Sequence, residues 1–235
     1  MTEEQNLRWQ LICAWCGPAF VVLFLTFWGW IGGNLPPAGP SLSAEEIAAY
    51  YRANSVTIRI GFVGAVVFMC LYMPWSAVLS ARMARIEGKM RSLAYLQLIG
   101  GALTVMVVSM SAAFWIAAAF RPERSPEITQ MLHDVGWLTI DQLYFCTTLQ
   151  MIAGAVVGLY DKSDRPLFPR WVCWYAIWAG FTFLPASLTA FVKTGAFAWS
   201  GIGSYYFPYF AWLSWFGLFS FFLIRNIRRE MADTR

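Results

Sequence analysis

Residues 133–158 read HDVGWLTIDQLYFCTTLQMIAGAVVG. A bilayer's apolar core is about 30 Å thick and takes about twenty helical residues to cross, so this stretch is long enough to span it. It nevertheless carries two acids (Asp134, Asp141), two glutamines (Gln142, Gln150) and a run of hydroxyls including Tyr144, Thr147 and Thr148. The other long apolar runs read as conventional membrane-crossing helix, and the segments between them as turns. The stretch therefore implies helices in lipid, and it is where function is expected.

Composition points the same way. Apolar residues make up 59% of the 235-residue chain and charged residues 13%, against roughly 45–50% and about 25% in soluble domains. The mean hydropathy is +0.53. Thirteen tryptophans are present, many near the ends of apolar runs, where interfacial anchors sit. The net charge of +4 comes from basic residues scattered over short loops, so nucleic acid is not an expected partner. The acidic start of MTEEQNLRWQ and the long apolar run after it read as a retained first span rather than a cleaved signal.

Six runs are long enough to cross: 11–31, 56–80, 93–120, 135–159, 171–192 and 207–224. The expected fold is all-α, a polytopic membrane bundle of six transmembrane helices in a single domain over 1–235. Short interfacial helices are expected on the outer side. One is placed at 44–53, where Ser43 and Glu46 form a capping box, lying on the surface or leading into the second span. Ser125 followed by Pro126 reads as an N-cap with proline at the first helical position, and that helix is expected to run unbroken into the fourth span. Pro185 should kink the fifth. The aromatic, glycine-rich connection 193–207 (KTGAFAWSGIGSYYF) is too apolar for a solvated loop and is expected to lie in the interface or to dip back into the protein.

Arg8, the 81–92 and 161–170 loops and the tail through Arg235 hold twelve of the seventeen basic residues. Arg52, Arg59, Arg121, Arg124 and Lys193 fall on the other side. The positive-inside rule then puts both termini in the cytoplasm.

All five cysteines lie in apolar runs. Cys13 and Cys16 form a C-x-x-C, and Trp15-Cys16-Gly17-Pro18 echoes a thioredoxin site, but Ala19 stands where the second cysteine belongs. They read as packing residues. His133 is the only histidine, so no metal, haem or other cofactor is expected, and the residue itself reads as interfacial rather than as a relay.

At about 100° per residue, Asp134, Trp137, Asp141, Tyr144 and Thr148 share an arc of about 80° on an uninterrupted helix. An acid inside a membrane span is expensive and tends to mark a pathway or a site. These five residues are the candidate ligand-binding or proton-relay set, lining an outward-facing polar and aromatic cavity. The competing reading is a buried ion pair for Asp141, with Arg59, Arg121 and Lys193 as the possible partners.

Three segments, FRPERSPEITQMLHDVGW (120–137), FPRWVCWYAIW (168–178) and FLPASLTAFVKTGAFAWSG (183–201), resemble a family of small bacterial multi-pass inner-membrane proteins. There an R-P-E/D-R-x-P-E loop precedes a span opening with an acid and a tryptophan, and F-P-R-W and F-x-K-T-G-x-F-A-W-x-G segments follow. The likeness covers roughly 44–224. It implies the multi-pass topology and a bacterial inner membrane, and that Asp134, Trp137, Arg170, Lys193 and Trp199 belong to the family pattern. It carries no activity with it.

The leading functional expectation is binding or transport of a hydrophobic small molecule through the cavity on the fourth span. One alternative is an accessory or structural subunit of a membrane complex, packed on a partner subunit or a second copy through Gly154, Gly158 and 29–33. The other is an intramembrane acid–base enzyme of isomerase or cyclase type, using Asp134 or Asp141 on a lipid-like substrate. Membrane lipid is an expected partner in every case.

Overall fold

Long apolar runs satisfy their own backbone only as helix or closed barrel, and these lack the period-two alternation of barrel strands. The computed structural model describes residues 1–233; Arg235, counted above with the basic tail, lies outside them. The described residues are helical, with no strand. Helix α1 (Glu3–Phe24) continues as a π-helical stretch, Leu25–Ile31. Then come α2 (Ala44–Met69), α3 (Tyr72–Glu87), α4 (Ser92–Phe120), α5 (Pro126–Gln142), α6 (Phe145–Tyr160) and α7 (Arg170–Phe181). A 3-10 segment (Leu184–Ala190) and a π turn (Ile202–Tyr206) lead into α8 (Phe207–Asp233). Six helical units are long and apolar enough to cross a membrane: Glu3–Ile31, Ala44–Glu87, Ser92–Phe120, Pro126–Tyr160, Arg170–Ala190 and Ile202–Asp233.

Local chemistry sets the helix starts. Ser43 Oγ accepts from the Glu46 amide at 3.2 Å, and Glu46 Oε2 accepts from the Ser43 amide at 2.8 Å. Thr2 and Gln5 do the same for α1. The helix placed at 44–53 is the first part of α2, continuous with the long helix rather than a separate piece. Likewise α5 begins at Pro126 as expected, though the Ser125 side chain makes no capping bond.

Helix α4 sits at the centre, packed on α2, α3, α5 and α6, while α8 packs on α1 and α7. Small residues permit the close approaches: a Cβ on Gly100 would come within 2.7 Å of the Cys146 carbonyl oxygen. Gly154 and Gly158 serve the same end inside the chain. A Cβ at Gly154 would meet Phe219 at 3.1 Å, and one at Gly158 would meet Cys173 Sγ at 2.6 Å. The expected docking face for a partner helix is thus already occupied by α7, α8 and the turn before α7. Gly29 is covered by Leu35.

The end of the bundle holding the described terminal residues is tied by ion pairs. Arg82, 4% exposed, bonds Glu230, with Gln10 at 2.8 Å and Asn226 at 3.3 Å, so α1, α3 and α8 share one guanidinium. Arg85–Glu230 and Arg165–Asp233, both at 2.9 Å, lie beside it.

Candidate functional site

The fourth long helix is not continuous. Helix α5 ends at Gln142, Leu143 takes φ −101° and ψ 18°, and α6 begins at Phe145. The side chains around the joint explain where their bonds go. Gln142 Nε2 donates to Ala186 O at 3.3 Å and to Thr189 Oγ1 at 3.0 Å. Tyr144 Oη lies 3.0 Å from Ser187 Oγ, and its ring stacks on Phe183. The joint is thereby laced to the 3-10 segment in which the fifth helix ends. Pro185, expected to kink an α-helix, lies in the first turn of that segment instead. Ser204 Oγ, on the π turn, lies 3.0 Å from both the Pro185 and Phe197 carbonyl oxygens. Three departures from α-helix therefore meet, their backbone and side chains bonded to one another.

A cavity of about 30 Å³ lies at this junction, room for about two water molecules. Apolar side chains such as Val107, Ile140, Leu143 and Phe183 form much of its wall. Its polar lining comes from Asp141, Thr104, Thr147, Ser204, Tyr209 and Trp212. The smaller hydroxyls are already paired: Thr104 Oγ1 donates to Gly100 O at 2.8 Å and meets Thr147 Oγ1 at 2.8 Å. Asp141 is 4% exposed. Its polar neighbour Thr189 commits its hydroxyl proton to Ala186 O at 2.8 Å, and Asp141 Oδ2 is left without a hydrogen-bond partner. Tyr209 Oη and Trp212 Nε1 are also buried and unpaired. The three residues line the same small space, and each has one polar atom unpaired.

Beside the cavity is a dense aromatic layer. Trp137 stacks on Trp199 with ring centroids 6.2 Å apart and planes at 6°, and Trp28 stacks on Tyr209 at 5.2 Å. Trp115 tilts against Trp137 at 5.0 Å. Trp199 belongs to the apolar connection, which does fold back: its indole donates to Ala38 O at 3.0 Å, and Gly203 N reaches Ala196 O at 2.8 Å. The same Ala38 carbonyl lies 3.3 Å from His133 Nε2. A carbonyl can only accept, so Nε2 carries the proton and Nδ1 accepts from Tyr51 Oη at 3.0 Å. His133 is buried, with Tyr51 and Ala38 completing its bonding inside the bundle.

The expected five-residue face is divided. Asp141 and Tyr144 line the cavity; Trp137 is fully buried in the aromatic layer, and Asp134, half-buried, does not reach the cavity. Thr148 turns to the fifth helix and donates to Gly180 O at 3.0 Å, while Thr147 takes the cavity position. The reason is the joint at 143–144: angles counted across it on an unbroken helix lose phase. The space these residues line is small, about 30 Å³.

The charge partners also differ. Four ion pairs occur among the described residues, and none includes Asp141, Arg59, Arg121 or Lys193. Arg59 Nε bonds Ser55 O at 3.2 Å instead. Among the described residues no group of three histidine, cysteine or acidic side chains gathers as a metal site. Tyr209, Trp212, Thr104 and Ser204 were missed from sequence. Their only signal was a hydroxyl or indole in an apolar run, which many non-site residues share.

No protein-family model, curated protein or solved structure matches this chain.

Proposed function

We propose that this is a multi-pass protein of a bacterial inner membrane, both termini cytoplasmic, that binds or transports a mostly apolar small molecule carrying one polar group. The likeness to small bacterial multi-pass proteins and the bias of basic residues support the location. On this reading the first turns of α2 and α5 lie at the outer interface.

The observation that carries the functional reading is that three residues lining one cavity, Asp141, Tyr209 and Trp212, each hold a buried polar atom (Oδ2, Oη and Nε1) without a partner. A buried polar atom without a partner costs about 1–3 kcal/mol. Three together suit a visiting hydroxyl, amine or amide that supplies the missing bonds. Ligand pockets run to about 300–1,000 Å³, so the cavity of about 30 Å³ has room for the polar head alone, and the apolar remainder needs the site to open. Opening would separate the pieces already joined by non-α backbone: the 143–144 joint, the 3-10 segment and the π turn. Discontinuous helices with backbone and polar side chains at mid-membrane are how transporters commonly build such sites. The accessory-subunit alternative has less support, because Gly154 and Gly158 pack inward.

Asp141→Asn tests this. The wild type purified in mild detergent should carry a small molecule, detected by mass spectrometry of the extracted protein, that the variant lacks while eluting as the same monodisperse species. Identical extracts from two well-folded proteins would refute a site at Asp141.

A further inference from the structure

Helices α1 and α8 run antiparallel along one flank, with Arg228 over the Trp15 ring and Phe24 against Trp212. Between them lies an open groove of about 750 Å³. Its apolar part is made by Pro18, Val21, Val22, Gly217 and Phe221, and its mouth by Arg225, Arg228 and Arg229. These α8 residues fall on one face because their spacing is three and four. All three arginines are exposed, and none takes part in the ion pairs among the described residues. The neighbouring Asp233 is engaged by Arg165. Arg228 is held 5.5 Å above the Trp15 centroid, which presets one of the three cations.

The dimensions suit one class of occupant. From Arg228 to Gly217 is about 16 Å at 1.5 Å per residue, about half of a 30 Å apolar core and so the depth of one leaflet. We propose that this groove binds an anionic phospholipid, its phosphodiester among Arg225, Arg228 and Arg229 and one acyl chain along Pro18, Val22, Gly217 and Phe221. Guanidinium forks match phosphate oxygens in pairs, and basic pockets between membrane helices recognise anionic headgroups in this way. A zwitterionic lipid would bring its own cation to a mouth that already holds three.

The test uses the full-length protein, depleted of lipid in mild detergent and offered phosphatidylglycerol or phosphatidylcholine with identical chains. Bound lipid is counted by native mass spectrometry, and a melting curve verifies that each variant is folded. The wild type should prefer phosphatidylglycerol by at least about tenfold. The triple variant Arg225→Gln, Arg228→Gln, Arg229→Gln should lose that preference. Gly217→Leu, at a position where an added Cβ meets nothing within 4 Å, should fill the groove and weaken retention of both lipids. Lys89→Gln, in the turn between α3 and α4, should change nothing. The proposal is overturned if the wild type shows no preference, or if the triple variant keeps it. It is likewise overturned if inorganic phosphate competes as well as the lipid does, or if a second copy of the chain covers the groove and excludes lipid.

Discussion

If Asp141 is kept for use rather than for packing, replacing it with leucine should stabilise the protein. The carboxyl group is 4% exposed, one of its oxygens has no partner, and no cation pairs with it. Leaving a buried polar atom unsatisfied costs about 1–3 kcal/mol, and an aspartate at mid-membrane about 2.5–3.5 kcal/mol on insertion scales. Leucine removes that cost and adds apolar volume next to a cavity of about 30 Å³, which takes up part of the extra bulk. Allowing about 1 kcal/mol for overpacking, Asp141→Leu should gain about 1–2 kcal/mol, or roughly 2–8 °C in melting midpoint for a chain of this size. Unfolding in mixed micelles, followed by the emission of the tryptophans, measures it as a shift in midpoint at unchanged slope. A loss of 2 kcal/mol or more would refute the reasoning, because the carboxyl would then be holding the bundle together through a bond that leucine cannot make.

Two further outcomes follow from packing and charge. Gly136→Ala should cost about 1–3 kcal/mol by overpacking, since the new methyl would lie 2.8 Å from Cδ1 of the Trp115 ring; Gly217→Ala, facing open space, should gain about 0.8–1 kcal/mol. Melting curves of the two variants check the contrast, and equal shifts would contradict it. Arg82→Ala should lose about 3–5 kcal/mol by stripping a partner from a largely buried pair, whereas Arg85→Ala, whose side chain is 61% exposed, should lose no more than about 1 kcal/mol. A double-mutant cycle with Glu230→Gln separates the pairwise part.

Much of the architecture was legible because it rests on short-range physics. The six apolar runs became six membrane-length helices. The Ser43 capping box formed bond for bond, and α5 began at Pro126. The site was legible only in part. Asp141 stood out as an acid in an apolar run, but the joint beside it depends on Gln142 reaching Ala186 and Thr189, partners more than forty positions along the chain. That joint swapped Thr147 for Thr148 at the cavity. Lys193, a plausible partner on topology, forms no ion pair among the described residues. Tyr209 and Trp212 carry nothing in their neighbourhood to distinguish them from other aromatic residues of the last helix.

The sequence by itself determined that the backbone is helical, roughly where the six long helical units lie, and which acid is costly to bury. Hydropathy, capping and proline geometry act within a few residues, and their sum over a run leaves little choice. Only the tertiary structure decided that Asp141, Tyr209 and Trp212 line one small cavity, and that the Gly154–Gly158 face turns inward. It alone set Arg225, Arg228 and Arg229 over a groove with Trp15. Such meetings depend on the phase and crossing of helices distant in the chain, and a single break in helical phase reassigns every side chain beyond it.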